Sequence, residues 1–181
     1  STTGSSRICN AQPIVVGSDS DMLAIAHNGN LINAQHLRQE LCDQGYTFNT
    51  TTDTEVIADL LLASTEKDMV SKIKHIMPRL QGAYSLTLIV NHTLYGVRDP
   101  LGVRPLCLGE INGGYVIASE SCALDHIGAN FVREIEPGEI VAINENGVSS
   151  YYVESERRAL CIFEYIYFAR PDSIINGRLL Y

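Results

Sequence analysis

Apolar positions change their period part-way along the chain. Before Gly82 they fall mostly at helical spacing, and after it they cluster in short strand-like runs. Met22, Leu23, Ile25 and Ala26 predict a strand that ends at His27-Asn28-Gly29-Asn30. Leu37 and Leu41 lie one turn apart, Asn33 stands where a helix cap belongs, and Gly45 can stop the helix predicted over 34–44. Thr52 and Glu55 have capping-box spacing ahead of the apolar helix 56–63. Met69, Ile73, Ile76, Met77 and Leu80 share one side of a helix over 68–80.

Beyond Gly82, 83–90 and 93–98 read as strands joined by a tight turn at Asn91-His92. A second pair, 104–108 and 115–119, flanks Asn112-Gly113-Gly114, which tolerates the positive φ of a hairpin turn. A short helix fits 120–127, closed by Gly128. Strands over 131–135, 139–143 and 148–153 are separated by Glu136-Pro137-Gly138 and Asn144-Glu145-Asn146-Gly147. Residues 1–13 are polar and aperiodic, as in a loop. A block of helices followed by hairpin-linked strands predicts an α+β fold with mainly antiparallel sheet.

Composition narrows the function classes. A chain of 181 residues suits one sizeable core. The net charge is −8 and the longest basic run is the pair Arg157-Arg158, so a phosphate-tracking surface for nucleic acid is disfavoured. No run of about eighteen apolar residues is present to span a bilayer. The five cysteines, at 9, 42, 107, 122 and 161, are odd in number and form no CxxC pair. That argues against a disulfide framework or a zinc ribbon and predicts a reducing, cytoplasmic setting. The chain starts at Ser1 without an initiator methionine and reads as a piece of a longer protein, so an organelle-targeting segment would lie outside it.

Three segments carry candidate chemistry. In His27-Asn28-Gly29-Asn30, the Asn side-chain amide and a Gly backbone N–H suit a developing oxyanion, and the same residues equally suit a turn. In Thr50-Thr51-Thr52-Asp53-Thr54-Glu55, a carboxylate before a helix can receive an ammonium group or simply cap the helix. The loop Ser1-Thr2-Thr3-Gly4-Ser5-Ser6 can close over a ligand or stay a surface loop, and no Lys follows its glycine as in a Walker cradle. The histidines lack the short pairings of a metal site, and neither HExxH nor G-x-S-x-G occurs. Cys42 and Cys122 on predicted helices and Cys107 in a strand read as small buried hydrophobes. From the residues alone, the chain is a ligand-binding α+β domain.

Taken together, AHNGNLINA at 26–34, TTTDTEVI at 50–57, QGAYSL at 81–86, VRDPLGVRPL at 97–106 and ASESCALD at 118–125 resemble, in order and spacing, the signatures of the type II glutamine amidotransferases. These are N-terminal-nucleophile hydrolases. CIFEYIYFARPDS at 161–173 is similar to the junction where some members pass from glutaminase into a phosphoribosyltransferase domain. The resemblance implies a four-layer αββα sandwich, incomplete at its N-terminus, with glutaminase over 1–155 and the start of the next domain over 156–181. It assigns the Asn28 amide and the Gly29 N–H to an oxyanion hole, Asp53 to the α-amino group of glutamine, and Thr2 to a loop that closes over that substrate. Cys161 resembles the first cysteine of a 4Fe-4S cluster that some members carry.

The implied activity is a glycosyltransferase with a glutaminase half-reaction. Ammonia cut from glutamine displaces diphosphate from phosphoribosyl diphosphate, giving 5-phosphoribosylamine at the first committed step of purine synthesis. Magnesium would serve the second domain, and a homo-oligomer is expected. The family's nucleophile is an N-terminal cysteine with its own α-amine as base. This sequence has no such cysteine and no arginine two positions before Ser1, so the chain by itself is expected to hold glutamine without cutting it. The alternatives are another type II amidotransferase, of the asparagine synthetase or glucosamine-phosphate synthase type, or a non-catalytic glutamine-binding scaffold.

Overall fold

A computed structural model describes residues 4–18, 22–153, 159, 161–175 and 177–179. The larger sheet is antiparallel and runs in the order β1 (Ile14–Val16), β2 (Leu23–Leu31), β3 (Gly82–Val90), β4 (Thr93–Arg98), β8 (Glu139–Asn144), β9 (Gly147–Tyr152). The smaller sheet pairs β6 (Gly114–Ala118), β5 (Cys107–Ile111) and β7 (Asn130–Glu134). Helices α1 (Ala34–Asp43), α2 (Asp53–Ala63) and α3 (Met69–Ile76) sit in the block between β2 and β3, and α4 (Ser121–His126) follows β6. A two-stranded ribbon, β10 (Ile174–Ile175) with β11 (Arg178–Leu179), ends the described chain.

Burial explains the layers. Alternate residues of the larger sheet, among them Ile25, Leu86, Leu88 and Val97, form one core with Leu37, Leu41, Val56, Ile57, Leu61, Ile73 and Ile76 of the helices. Each such aliphatic side chain contributes about 1.5–3 kcal/mol relative to exposure. Val141 and Ile143 on the opposite face meet Leu108 and Ile117 of the smaller sheet, together with Leu106 just before it. Beneath that sheet, Leu124 of α4 packs with Cys107, Ala129 and Phe131. Helices, sheet, sheet and helix make the αββα sandwich.

Local chemistry set most boundaries. Asn91 and His92 take φ of 46° and 60°, and Asn112 and Gly113 take 51° and 79°, the twist that two-residue hairpins need. Thr52 Oγ1 accepts from Glu55 N–H at 3.4 Å, which is one half of a capping box. The other half is diverted, because the Glu55 carboxylate accepts from the N–H groups of Asn49 and Thr50. Asn33 does not cap α1 with its side chain. Its amide bridges Arg79 O and Gln81 N–H instead, a tertiary demand that outbids the local one. The predicted helix 68–80 stops at Ile76 and tightens into a 3-10 turn, Met77–Arg79, around Pro78.

Two predictions fail instructively. The strand through His27 does not end there: β2 continues to Leu31, paired with β3 from Gly29↔Tyr84 to Leu31↔Gly82. Gly29 and Gly82 adopt φ of +148° and +138°. A Cβ on Gly29 would overlap the Ala83 carbonyl, and one on Gly82 would overlap the Asn30 carbonyl. The two glycines let the strands close upon each other where the sequence reads as a turn. Conversely, Arg104–Leu106 are not strand, because β5 begins only at Cys107. The expected division between 155 and 156 falls in 154–158, outside the described residues.

Candidate functional site

The site grows from the two faces of β2. His27 points into the helical layer, buried at 3% exposure, and its Nδ1 stands 3.4 Å from the Asp53 carboxylate. Asp53 opens α2 and is itself 2% exposed, and its other oxygen accepts the Leu31 N–H at 3.0 Å. A carboxylate at a helix N-terminus is stabilised by the free N–H groups and the macrodipole. Neither ring nitrogen of His27 has a hydrogen-bond partner among the described residues.

The segment before α2 is held from three sides. Arg38 donates to Thr50 O at 3.1 Å and Thr52 O at 2.7 Å, with its guanidinium stacked on Phe48. Glu55 holds its N–H groups from below. Asn10 pairs with Thr51, its Oδ1 accepting Thr51 N–H at 3.0 Å and its Nδ2 donating to Thr51 Oγ1 at 2.8 Å. Ser5 N–H also donates to Thr51 Oγ1. The N-terminal loop is therefore fastened beside Asp53, joining two of the three candidate segments. Gln12 joins the third, since its side chain accepts from His27 N–H at 2.6 Å and donates to His27 O at 3.1 Å. Thr2 lies outside the described residues.

Asn28 faces the other way, toward the smaller sheet. Its Nδ2 donates to Ser119 Oγ at 3.1 Å, and its Oδ1 accepts from Arg104 at 2.8 Å. Asn28, Ser119, Gln12, Ser85, Thr87 and Leu106 help line an open cavity of about 220 Å³. Gly29, next along the strand, contributes backbone alone to this edge. The structure thus gathers His27 and Asp53 on the helical side of β2 and Asn28 on the cavity side. In this arrangement the cavity side can donate to an anion, and the helical side can neutralise a cation.

A loop that sequence reading missed delivers Arg104. Asp99, fully buried, accepts four backbone N–H bonds, from Leu101, Gly102, Val103 and Arg104, at 2.8–3.3 Å. Burial pushes its carboxyl pKa up, and the bonds from Arg104, Val103 and Gly102 offset only part of that rise. Arg98, also buried, donates to the carbonyls of Arg104, Ile135 and Gly102. The available signal was Asp-Pro-x-Gly, an Asx-turn pattern in which the Asp side chain caps its own backbone.

The cysteines contribute little here. Burial pushes the Cys107 thiol up to about 12, the behaviour of an inert core residue. Cys42, expected inside, is exposed because it sits on the outer face of α1. Cys161 is half-buried, and among the described residues no group of three or more His, Cys, Asp or Glu could hold a metal. These residues alone do not build a cluster site. No helix among them is long and apolar enough to cross a membrane.

Residues 5–126 match the family described as the glutamine amidotransferase domain, and the chain belongs to that family. Within it, the chain is similar along its whole length to amidophosphoribosyltransferases. That of Archaeoglobus fulgidus is 50% identical over 184 residues, covering 100% of this chain and 40% of the relative. The solved glutamine phosphoribosylpyrophosphate amidotransferase of Bacillus subtilis, complexed with ADP and GMP, superposes with a TM-score of 0.91 at 41% identity, over 97% of this chain and 39% of that one. A further solved structure, described as the allosteric regulatory enzyme of purine biosynthesis, gives 0.89 at 42% identity over 94% and 37%. The chain spans about 40% of the length of the curated relatives it matches.

Proposed function

We propose that this chain is the glutamine-holding part of an amidophosphoribosyltransferase. The observation that carries the reading is the Asn28 amide, held with its nitrogen toward an open cavity at the mouth between the two sheets. There the amide and the Gly29 N–H form the oxyanion hole for the tetrahedral intermediate of glutamine hydrolysis. Asp53, desolvated at the start of α2, receives the α-ammonium group. The loop carrying Thr2 closes over the substrate from its anchorage at Thr51.

In the complete gene product a cysteine thiolate attacks the glutamine carboxamide, ammonia leaves, and water releases glutamate. Ammonia then displaces diphosphate from phosphoribosyl diphosphate at a second, magnesium-dependent site. The setting is cytoplasmic purine synthesis. The test is Asn28→Ala in the complete gene product. Glutamine-dependent turnover should fall by about 10²–10³-fold while ammonia-dependent synthesis persists. Unchanged glutamine turnover removes Asn28 from the oxyanion hole, and equal loss of both activities makes it structural.

A further inference from the structure

We infer that Arg104 is a positioning residue that fixes which end of the Asn28 amide faces the cavity. The inference rests on Asn28 as the oxyanion donor. A primary amide is nearly symmetrical in shape and opposite in polarity at its two ends. Turned by half a rotation, Asn28 would present its carbonyl oxygen to the developing oxyanion, which repels it. Something must choose between the two orientations.

Ser119 cannot choose, because a hydroxyl donates or accepts with equal ease. A guanidinium can, since it has five N–H donors and no acceptor. With Arg104 at 2.8 Å, only the carbonyl end of Asn28 satisfies the contact, and the NH₂ end is turned toward Ser119 and the cavity. The bond is charge-assisted and half-buried, stronger than a neutral one.

The loop makes this choice rigid. The Arg104 N–H donates to the Asp99 carboxylate at 3.3 Å, and its carbonyl accepts from Arg98 Nε at 2.9 Å and from Ser85 Oγ at 3.1 Å. Both ends of its peptide are therefore tied to side chains from β3, β4 and the loop itself. The far face of the guanidinium lies over the Phe168 ring, 5.4 Å from its centroid. A side chain anchored at its backbone and packed at its head costs little ordering entropy when the oxyanion forms, which is what preorganisation requires.

The experiment is a double-mutant cycle in the complete gene product, with Arg104→Met, Asn28→Ala and the pair. Arg104→Met should lower glutamine-dependent kcat about tenfold, less than loss of the donor itself, with glutamine KM within about threefold and ammonia-dependent synthesis intact. Arg104→Lys, which keeps one donor toward Oδ1, should recover most of the loss. In the Asn28→Ala background, Arg104→Met should cost nothing further. An unchanged kcat, or the same tenfold loss in both backgrounds, overturns the inference. If Asn28→Ala alone leaves kcat unchanged, the oxyanion assignment is what has failed. Should Arg104→Met not fold, Arg104→Gln replaces it in the cycle and the same outcomes decide.

Discussion

Two buried polar regions flank β2, and they are finished to different degrees. In the loop from Arg98 to Arg104, the buried Asp99 carboxylate meets four N–H groups and the buried Arg98 meets three carbonyls. On the opposite face, His27 and Asp53 are as deeply buried, yet both ring nitrogens of His27 lack a hydrogen-bond partner among the described residues. Leaving a buried polar group unsatisfied costs about 1–3 kcal/mol. Asp99 and Arg98, well supplied with partners, hold the loop still; His27, beside its carboxylate, has room for a further polar partner. Under the proposed function, the first region is scaffold and the second receives the ammonium group of the substrate.

The largest test of that contrast is Asp99→Ala. Four N–H groups lose their acceptor, so urea unfolding should show a loss of about 4 kcal/mol or more. A loss below about 1 kcal/mol would mean the loop is not held as described. Next comes Asp53→Ala in the complete gene product. The glutamine KM should rise about 100-fold, equivalent to about 2.7 kcal/mol, while ammonia-dependent synthesis barely moves and stability falls by only about 1–3 kcal/mol, for the Leu31 N–H left without its acceptor. If stability and both activities fall together, Asp53 belongs with the scaffold.

The smallest effect lies nearly two turns further along α2, where burial, with Glu55 adding and Arg38 opposing, pushes the Asp59 carboxyl up to about 6. The folded state then binds this proton more tightly than the unfolded chain. Stability from this group is gained as the pH falls from 6 toward 4 and lost as it rises through 6. Asp59→Asn should therefore raise stability by about 1–2 kcal/mol at pH 8, with the advantage closing toward pH 4. Parallel pH profiles for the two proteins would contradict that assignment.

Much of the sandwich was legible because hairpin chemistry is local. Asn91-His92 and Asn112-Gly113 announced their turns, and alternation announced the strands between them. Strand β1 was not legible, since three residues carry too little periodicity. His27-Asn28-Gly29-Asn30 was misread as a strand end because Asn-Gly is turn chemistry. Its close crossing with Gly82 is a tertiary fact. At the candidate site, Asn28 and Asp53 were singled out in the sequence, yet their placement to either side of β2, one on the strand and one at the start of α2, was not legible. Arg104 stayed hidden because nothing near it in sequence names its partner, 76 positions away. The pull of Asp99 on its own loop was readable in principle, and reading 104–106 as strand obscured it.

That separation along the chain also has a meaning in time. Asn28 is synthesised 76 residues before Arg104 and 91 before Ser119. At the roughly 5–20 residues per second of translation, the interval is roughly 4–18 s. Strand β3 can pair with β2 well before then, so the strand bearing the amide is in place early. For those seconds both ends of the Asn28 amide face water, with nothing to prefer one orientation. The half of the site that looks simplest in the sequence is thus complete only when the later half of the chain has emerged.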